Sequence, residues 1–333
     1  MQLYAHQLMR HMPDNVKCFS LDAFYLPLLE HYFTKELIYP KAAARNQADV
    51  NHITDHSYCG LLKTIDQEKT AVTCHDLVPL LYPKTVSRAG RLRYWFNIRL
   101  LPKAKKIITS SNFTKKMIIK FFGESIENKI RLIPYGIDDA FKPLSQKSTL
   151  RKKYNIADKA ILHIGKSYRH KNIDIILEFL KTHREYQFVK VGPFLKRHTW
   201  CIKRYGLQKQ ILHFPHVGLQ DGGEITELYN CADVLVMPSL YEGFGMPLVE
   251  AFACGCPVIC SDIPPFREIG QDAAVFFDQK SLNSLEAALE NVFNDKDLRD
   301  RLIKNGLLLS KKYNWQTCAN ATYKVYEEIY NRI

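Results

Sequence analysis

One rhythm constrains this chain more than anything else: short β-branched or apolar runs alternate with longer stretches of helical periodicity along its whole length. Such alternation packs as parallel α/β layers, with helices covering both faces of each sheet. In the first half the candidate strands are Val16–Phe19, Ala71–Cys74, Lys106–Thr109 and Arg131–Ile133. The second half restarts the pattern with Ala160–Ile164, Phe188–Val191, Ile211–Phe214, Val234–Met237, Pro257–Cys260 and Ala274–Phe277. A polar, proline-marked stretch, Asp138–Lys147, separates the two halves and reads as a linker. With 333 residues there is room for about two domains. The expectation is therefore two facing, Rossmann-like, doubly wound domains, 1–143 and 144–316, with the closing helix 317–333 packing back on the first. Ligands of such sheets sit beyond the carboxyl ends of the strands, so the loop after each strand is the place to look.

Composition narrows the class. At 46% apolar and 24% charged residues, the chain can bury a sizeable core and is neither a disordered tail nor a disulfide scaffold. No run approaches the ~18–20 apolar residues of a membrane-spanning helix. The start, Met1–His6, lacks the basic-then-apolar pattern of a secretory leader, which places the expected location in the cytoplasm. Nine cysteines are present, but their only cluster, Cys254, Cys256 and Cys260, lies in an apolar run without a second ligand pair. Buried free thiols are expected there rather than a zinc site.

The net charge of +13 is unevenly spread. From Leu77 to Gly123 there is no Asp or Glu, while Lys84, Arg88, Arg91, Arg93, Arg99, Lys103, Lys105, Lys106, Lys115, Lys116 and Lys120 fall inside that window. Trp95, Phe96, Phe121 and Phe122 are interleaved with them. A solvated helix face over an ordinary core would account for this pattern. So would one basic, aromatic face over 84–122 that meets an anionic membrane peripherally, and this second reading sets the expectation. Nucleic acid is not expected, because no recognition motif accompanies the charge.

The most informative segment runs from Pro238 to Ala251, directly after a buried strand, and opens a helix. Pro247 suits a first helical turn, where its missing N–H costs nothing. Gly243 and Gly245 let backbone approach a ligand closely. The N–H groups and positive dipole end around Met246, Pro247, Leu248 and Val249 form an anion site suited to a diphosphate. Glu242 before the helix and Glu250 one turn inside it can each accept hydrogen bonds from hydroxyls. A blander reading also stands, with Glu250 complementing the helix N-terminus and Glu242 an ordinary loop charge.

Set in E-G-F-G-M-P-L-V-E-A, the Glu242-x7-Glu250 pair resembles the signature of the glycosyltransferase family 4 (group 1) retaining enzymes, which have the GT-B fold. Companion segments appear in order: His75-Asp76-Leu77, Thr109–Thr114, Ile133–Asp138, Gly165–Asn172 and Cys256–Asp262. The resemblance spans roughly residues 50–330 and is strongest from 160 to 280. It implies that Glu250 holds the nucleoside ribose, that Glu242 contacts the donor sugar, and that the Gly243, Phe244, Gly245, Met246, Pro247, Leu248 and Val249 backbone receives sugar hydroxyls and phosphates. Lys171, with Arg169 and Lys166, would neutralise the departing diphosphate, a role with independent sense because cations there stabilise the charge that develops in the transition state. No metal and no cofactor are then required. His75 would lie near the donor sugar or acceptor, with a structural role as the competing reading for a lone histidine at a strand end.

The implied activity is retaining transfer of a sugar, mannose, glucose or similar, from a nucleoside diphosphate to a glycan or lipid-linked acceptor. The expected place is the cytoplasmic side, at the inner face of the membrane. One departure stands out. Residues 1–59 hold no glycine, and Met1 opens directly into a helical pattern, so the first strand and Gly-rich loop expected of the family are missing from the pattern. An inactive or weakened sugar-nucleotide or glycan-binding protein is the alternative that this departure raises.

Overall fold

The computed structural model describes residues 2–20, 38–82, 87–216 and 223–331. The chain divides into two units: residues Met1–Gly136 with Trp315–Ile333, and Ile137–Asn314.

The first unit is built on a parallel sheet of β1 (Asn51–Ile53), β2 (Thr70–Thr73), β3 (Lys106–Thr109) and β4 (Ile130–Leu132), in that spatial order. β2 and β3 are buried throughout, as expected of central parallel strands covered on both faces. The closing helix Trp315–Tyr330 buries Trp315, Cys318, Ala319, Thr322, Val325 and Ile329, a spacing of three and four residues that lays one apolar stripe on this unit. It packs against the Gln2–His11 helix, whose Tyr4 ring lies 6.0 Å from Trp315. Its far end is fastened electrostatically. Arg131 Nε lies 3.1 Å from Glu328 Oε1, and Lys106 also pairs with this carboxylate. Arg131 chiefly, and then Lys106, holds the Glu328 carboxyl down at about 2.

Two sequence expectations fail here. Val16–Phe19 is not a strand: it follows the turn in which Val16 N donates to Pro13 O, and Phe19 is 85% exposed. Only Val16 is half-buried while Lys17, Cys18 and Phe19 are exposed, so little draws the stretch into a sheet. The strand that forms instead, β1, is three residues long and carries Asn51 and His52, too short and polar to show in the sequence pattern.

The second unit carries a six-stranded parallel sheet: β5 (Ala160–Ile164), β6 (Gln187–Val191), β7 (Ile211–Phe214), β8 (Val234–Met237), β9 (Val258–Ser261) and β10 (Ala274–Phe277). Their spatial order is β10-β9-β8-β5-β6-β7. The chain leaves β5 toward one edge, returns to β8 on the other side of β5, and continues to the opposite edge. The point of reversal between β5 and β8 opens a crevice at their carboxyl ends. Its core includes Ile161, Phe188, Val234, Val236, Ile259, Phe277 and Leu289.

The stretch 138–147 is not a free linker. Leu144 N donates to Asn230 Oδ1 at 2.7 Å, Asn230 Nδ2 donates to Lys142 O, and Thr226 Oγ1 donates to Ala140 O. These bonds hold it to the Gly223–Cys231 helix, so the division falls at Gly136 rather than at 143. Cys254, Cys256 and Cys260 are buried free thiols.

Candidate active site

At the β5/β8 reversal two loops meet. After β8 the chain runs through Pro238–Gly245 into the helix Met246–Ala253. Gly245 caps that helix with φ +112°, and a Cβ there would stand 2.8 Å from the buried Phe266 ring. Only glycine meets both conditions. Pro247 occupies the first turn as expected. Phe244, Leu248 and Val249 are buried, with Phe244 edge-on to Tyr313, so these positions face the crevice only through backbone.

After β5 the loop begins at Gly165 (φ +130°), makes a 3-10 turn over Arg169–Lys171 and ends at Asn172 in the left-handed conformation. Leu240 N donates to His170 O at 2.7 Å, which ties the two loops through backbone. Side chains complete the tie. Lys171 Nζ lies 2.5 Å from Glu242 Oε1, and Ser239 Oγ donates to the same oxygen at 2.8 Å. The pair is mostly withdrawn from water, with side chains 18% and 12% exposed. Lys171 and Glu242 are 71 positions apart in the chain, and the reversal brings them together next to a helix N-terminus, where backbone dipoles favour an anion.

Glu250, one turn into the helix, accepts a 2.7 Å hydrogen bond from the Tyr229 hydroxyl. Burial pushes its carboxyl up to about 7, against the opposing pull of that hydrogen bond. Lys166 and Arg169 are exposed on the β5 loop and form no ion pair among the described residues. The structure thus brings Lys171, Glu242 and the helix start together, and leaves Lys166 and Arg169 at the loop surface.

His75 belongs to the first unit, just after β2. Its Nε2 lies 2.7 Å from Thr54 O, and its Nδ1 meets the Tyr135 hydroxyl. A carbonyl only accepts, so Nε2 carries the proton and Nδ1 accepts from Tyr135. Burial, and then the neighbouring His56, push the ring down to about 4, so it is neutral at pH 7. With both nitrogens engaged by the protein, the ring fastens the loop after β2.

Comparison with known proteins now decides the family. The model of "Glycosyl transferases group 1" matches residues 146–308, and that of "Glycosyltransferase Family 4" matches residues 5–141. The chain belongs to the group 1 glycosyltransferases. Among curated relatives, the Escherichia coli O-antigen chain mannosyltransferase B is 27% identical over 276 residues, covering 78% of this chain and 70% of the relative. The serotype-specific mannosyltransferase WbdA of the same organism is 25% identical over 76% of this chain, which spans only 32% of that longer protein. Among solved structures, sucrose-phosphate synthase from Thermosynechococcus elongatus superposes with a TM-score of 0.78 at 21% identity, covering 97% of this chain and 88% of its own. Anabaena HepE in complex with UDP and glucose superposes at 0.74 with 16% identity, over 91% and 83% of the two chains. The shared fold is GT-B, as the resemblance implied.

Sequence reasoning missed three residues of this glycosyltransferase that the structure places at or under the crevice. Ser239 and Tyr229 hold the two glutamates, and Lys190 sits fully buried beneath the β5 loop. Lys190 alone left a sequence signal, a charge inside the apolar run Phe188–Val191.

Proposed function

We propose that this glycosyltransferase moves a hexose, mannose or glucose, from a nucleoside diphosphate to a glycan or lipid-linked acceptor, with retention of configuration and without a metal ion. One observation carries the reading: the Lys171–Glu242 pair joins the β5 and β8 loops in front of the Met246–Ala253 helix start. A diphosphate seated there meets the helix N-terminus and Lys171, with Arg169 and Lys166 within reach of the loop surface. These cations stabilise the leaving group as its charge develops. Glu250 accepts the ribose hydroxyls and Glu242 a hydroxyl of the sugar. No residue is assigned as a covalent nucleophile; the donor's own phosphate takes the acceptor proton on the face that the diphosphate leaves. The curated relatives named as mannosyltransferases of O-antigen support a hexose donor and polysaccharide or cell-envelope glycan synthesis as the setting.

The test begins with a thermal-shift panel of UDP-, GDP-, ADP- and dTDP-sugars, in which a ligand at 100 times its Kd stabilises by about 2.7 kcal/mol. Transfer from the donor that binds is then measured with and without EDTA. Transfer within about twofold of the untreated rate is expected. Loss of most activity, restored by manganese or magnesium, would overturn the metal-free mechanism. Binding without any transfer would leave a sugar-nucleotide-binding protein.

The acceptor side involves the acid-free window, and here the expectation of one continuous basic face is corrected. Lys105 pairs with Glu68, Lys106 with Glu328 and Lys115 with Glu127, because acids distant in sequence fold onto them. Lys84 lies outside the described residues. Lys103, Lys116, Lys120 and Phe121 stay exposed, and so does a continuous stripe on the Arg88–Ile98 helix and the residue after it: Arg88, Arg91, Leu92, Trp95, Phe96 and Arg99. Leu92, Trp95 and Phe96 are 57%, 43% and 46% exposed, and of this helix only Ile98 is fully buried, with Tyr94 partly buried against the core. Among the described residues no helix is long and apolar enough to cross a membrane. Cations flanking exposed apolar rings suit instead the surface of an anionic bilayer, where each contributes on the order of 1 kcal/mol. Neutralising Arg88, Arg91 and Arg99 together is expected to abolish co-sedimentation with anionic vesicles at low salt. Neutralising the exposed Lys304, Lys311 and Lys312 should leave it intact. Equal effects of both triples would return the stripe to an ordinary solvated face.

A further inference from the structure

Lys190, the penultimate residue of β6, is fully buried. Its ammonium donates to three backbone carbonyls at the carboxyl ends of β5 and β6: Gly165 O at 2.5 Å, Val191 O at 2.5 Å and Gly192 O at 3.2 Å. An ammonium has three N–H bonds, so this cage satisfies it completely. The two loops are pressed together around it. Gly165 N donates to Val191 O at 3.1 Å, and a Cβ on Gly192 (φ +93°) would stand 2.6 Å from Gly165 O. Gly165 is the first residue of the loop that carries Lys166, Arg169 and Lys171. The cage is therefore the footing of that loop.

The groups facing Lys190 isolate its charge. In register beside it stand His163 on β5 and His213 on β7. Burial, and then Lys190 and Lys171, push His163 well below its ordinary value; burial also lowers His213, whose Nε2 donates to Gly192 O at 3.0 Å. Phe194, from the loop after β6, places its ring 5.7 Å from the ammonium. On the following helix His198 and Arg197 pair with Asp174, at 3.5 and 2.7 Å. No carboxylate pairs with Lys190 among the described residues.

We propose that Lys190 is a positioning residue of the transfer site: its caged ammonium sets the loop that receives the donor's diphosphate, and it takes up a proton together with the donor. This rests on the reading that a nucleoside diphosphate binds at the β5/β8 reversal. The coupling follows from elementary electrostatics. Burial, and then the charge of Lys171, push Lys190 down to about 7. A neutral amine keeps two N–H donors and gains a lone pair, so above that pH one of the three carbonyls loses its hydrogen bond and the loop loses part of its footing. A diphosphate seated on the loop adds negative charge close by and draws the proton back. At pH 8 Glu250, at about 7, is largely ionised already, and the depressed His163 and His213 are neutral. Proton uptake at pH 8 is then the signature of Lys190.

The experiment is calorimetric titration of the full chain with UDP and with GDP at pH 8, in buffers of different ionisation enthalpy. Uptake of most of one proton is expected with the nucleotide that binds. Lys190→Met, which keeps the volume without the charge, should bind with no uptake and about tenfold more weakly at pH 7. Its affinity should approach that of the parent chain by pH 9. Binding of either nucleotide without uptake by the parent chain overturns the proposal, as does the same uptake in Lys190→Met. Where that variant fails to fold, the parent chain's proton count at pH 8, where Glu250 is already ionised, decides: net uptake supports the proposal and a count of zero or net release overturns it. If neither nucleotide binds, the reading of the site itself is wrong, and Lys190 has no donor to position.

Discussion

Glu250→Gln is expected to stabilise the free protein at pH 7.5 while weakening nucleoside diphosphate binding by roughly 10- to 100-fold, the value of one or two hydrogen bonds to a charged group. The stability effect follows from the sign of the shift. The folded chain holds the Glu250 proton up to about pH 7, whereas the unfolded chain releases it near the ordinary value of 4.5. Ionisation is therefore resisted only in the folded state. The parent chain loses stability as pH rises between those two values, by an amount on the order of 3 kcal/mol. Glutamine keeps an acceptor for the Tyr229 hydroxyl but has no proton to lose. The parent chain's melting temperature should fall from pH 5 to 7.5 relative to that of the variant. Binding moves in the opposite direction, because ribose hydroxyls donate to the ionised carboxylate, so the parent chain's affinity relative to that of Glu250→Gln rises as pH passes through 7, whatever Lys190 adds to both. Parallel melting curves would falsify the shifted carboxyl. Unchanged nucleotide affinity in the variant would remove the ribose role.

The second large effect belongs to Lys171. Lys171→Met should lower kcat by 10²- to 10³-fold, the usual cost of removing one preorganised partner of developing charge, with a smaller rise in the donor's KM. In the free protein this lysine is paired with Glu242, so the substitution also strips that carboxylate of its cation and leaves it the Ser239 hydroxyl. A double-mutant cycle with Glu242→Gln separates the two contributions. If the pair only braces the loops, either single change does the same damage and the double change adds nothing. If Lys171 meets the diphosphate and Glu242 the sugar, the losses in kcat largely add. A kcat in Lys171→Met equal to that of the parent chain would end the leaving-group role.

The parts of this protein that the sequence displays are those written in neighbouring residues. All six strands of the second unit fall within a residue or two of their apolar runs, and the central ones do so because a parallel strand buried on both faces must be apolar nearly throughout. The Glu242-x7-Glu250 pair and its companions are equally local, since a tight turn into a helix start requires particular residues at fixed spacing. The closing helix shows its stripe in the same way. Where the local signal is weak, as in the three residues of β1, or is present without burial, as at Val16–Phe19, the reading fails.

What tertiary structure alone decides is which distant groups meet. Nothing near Lys105 or Lys106 announces Glu68 or Glu328, yet those pairs take two cations out of the expected basic face. His75 looks available in the sequence and is engaged at both nitrogens by Thr54 and Tyr135 in the fold. Tyr229 reaches Glu250 and Lys190 reaches Gly165 across sheet and helix, and these contacts hold groups whose charge state burial and nearby charges shift. A local pattern records how a residue is buried. The free energy of a buried charge depends on its partners in space, and those are set only when the strand order brings the carboxyl ends of β5, β6 and β8 side by side.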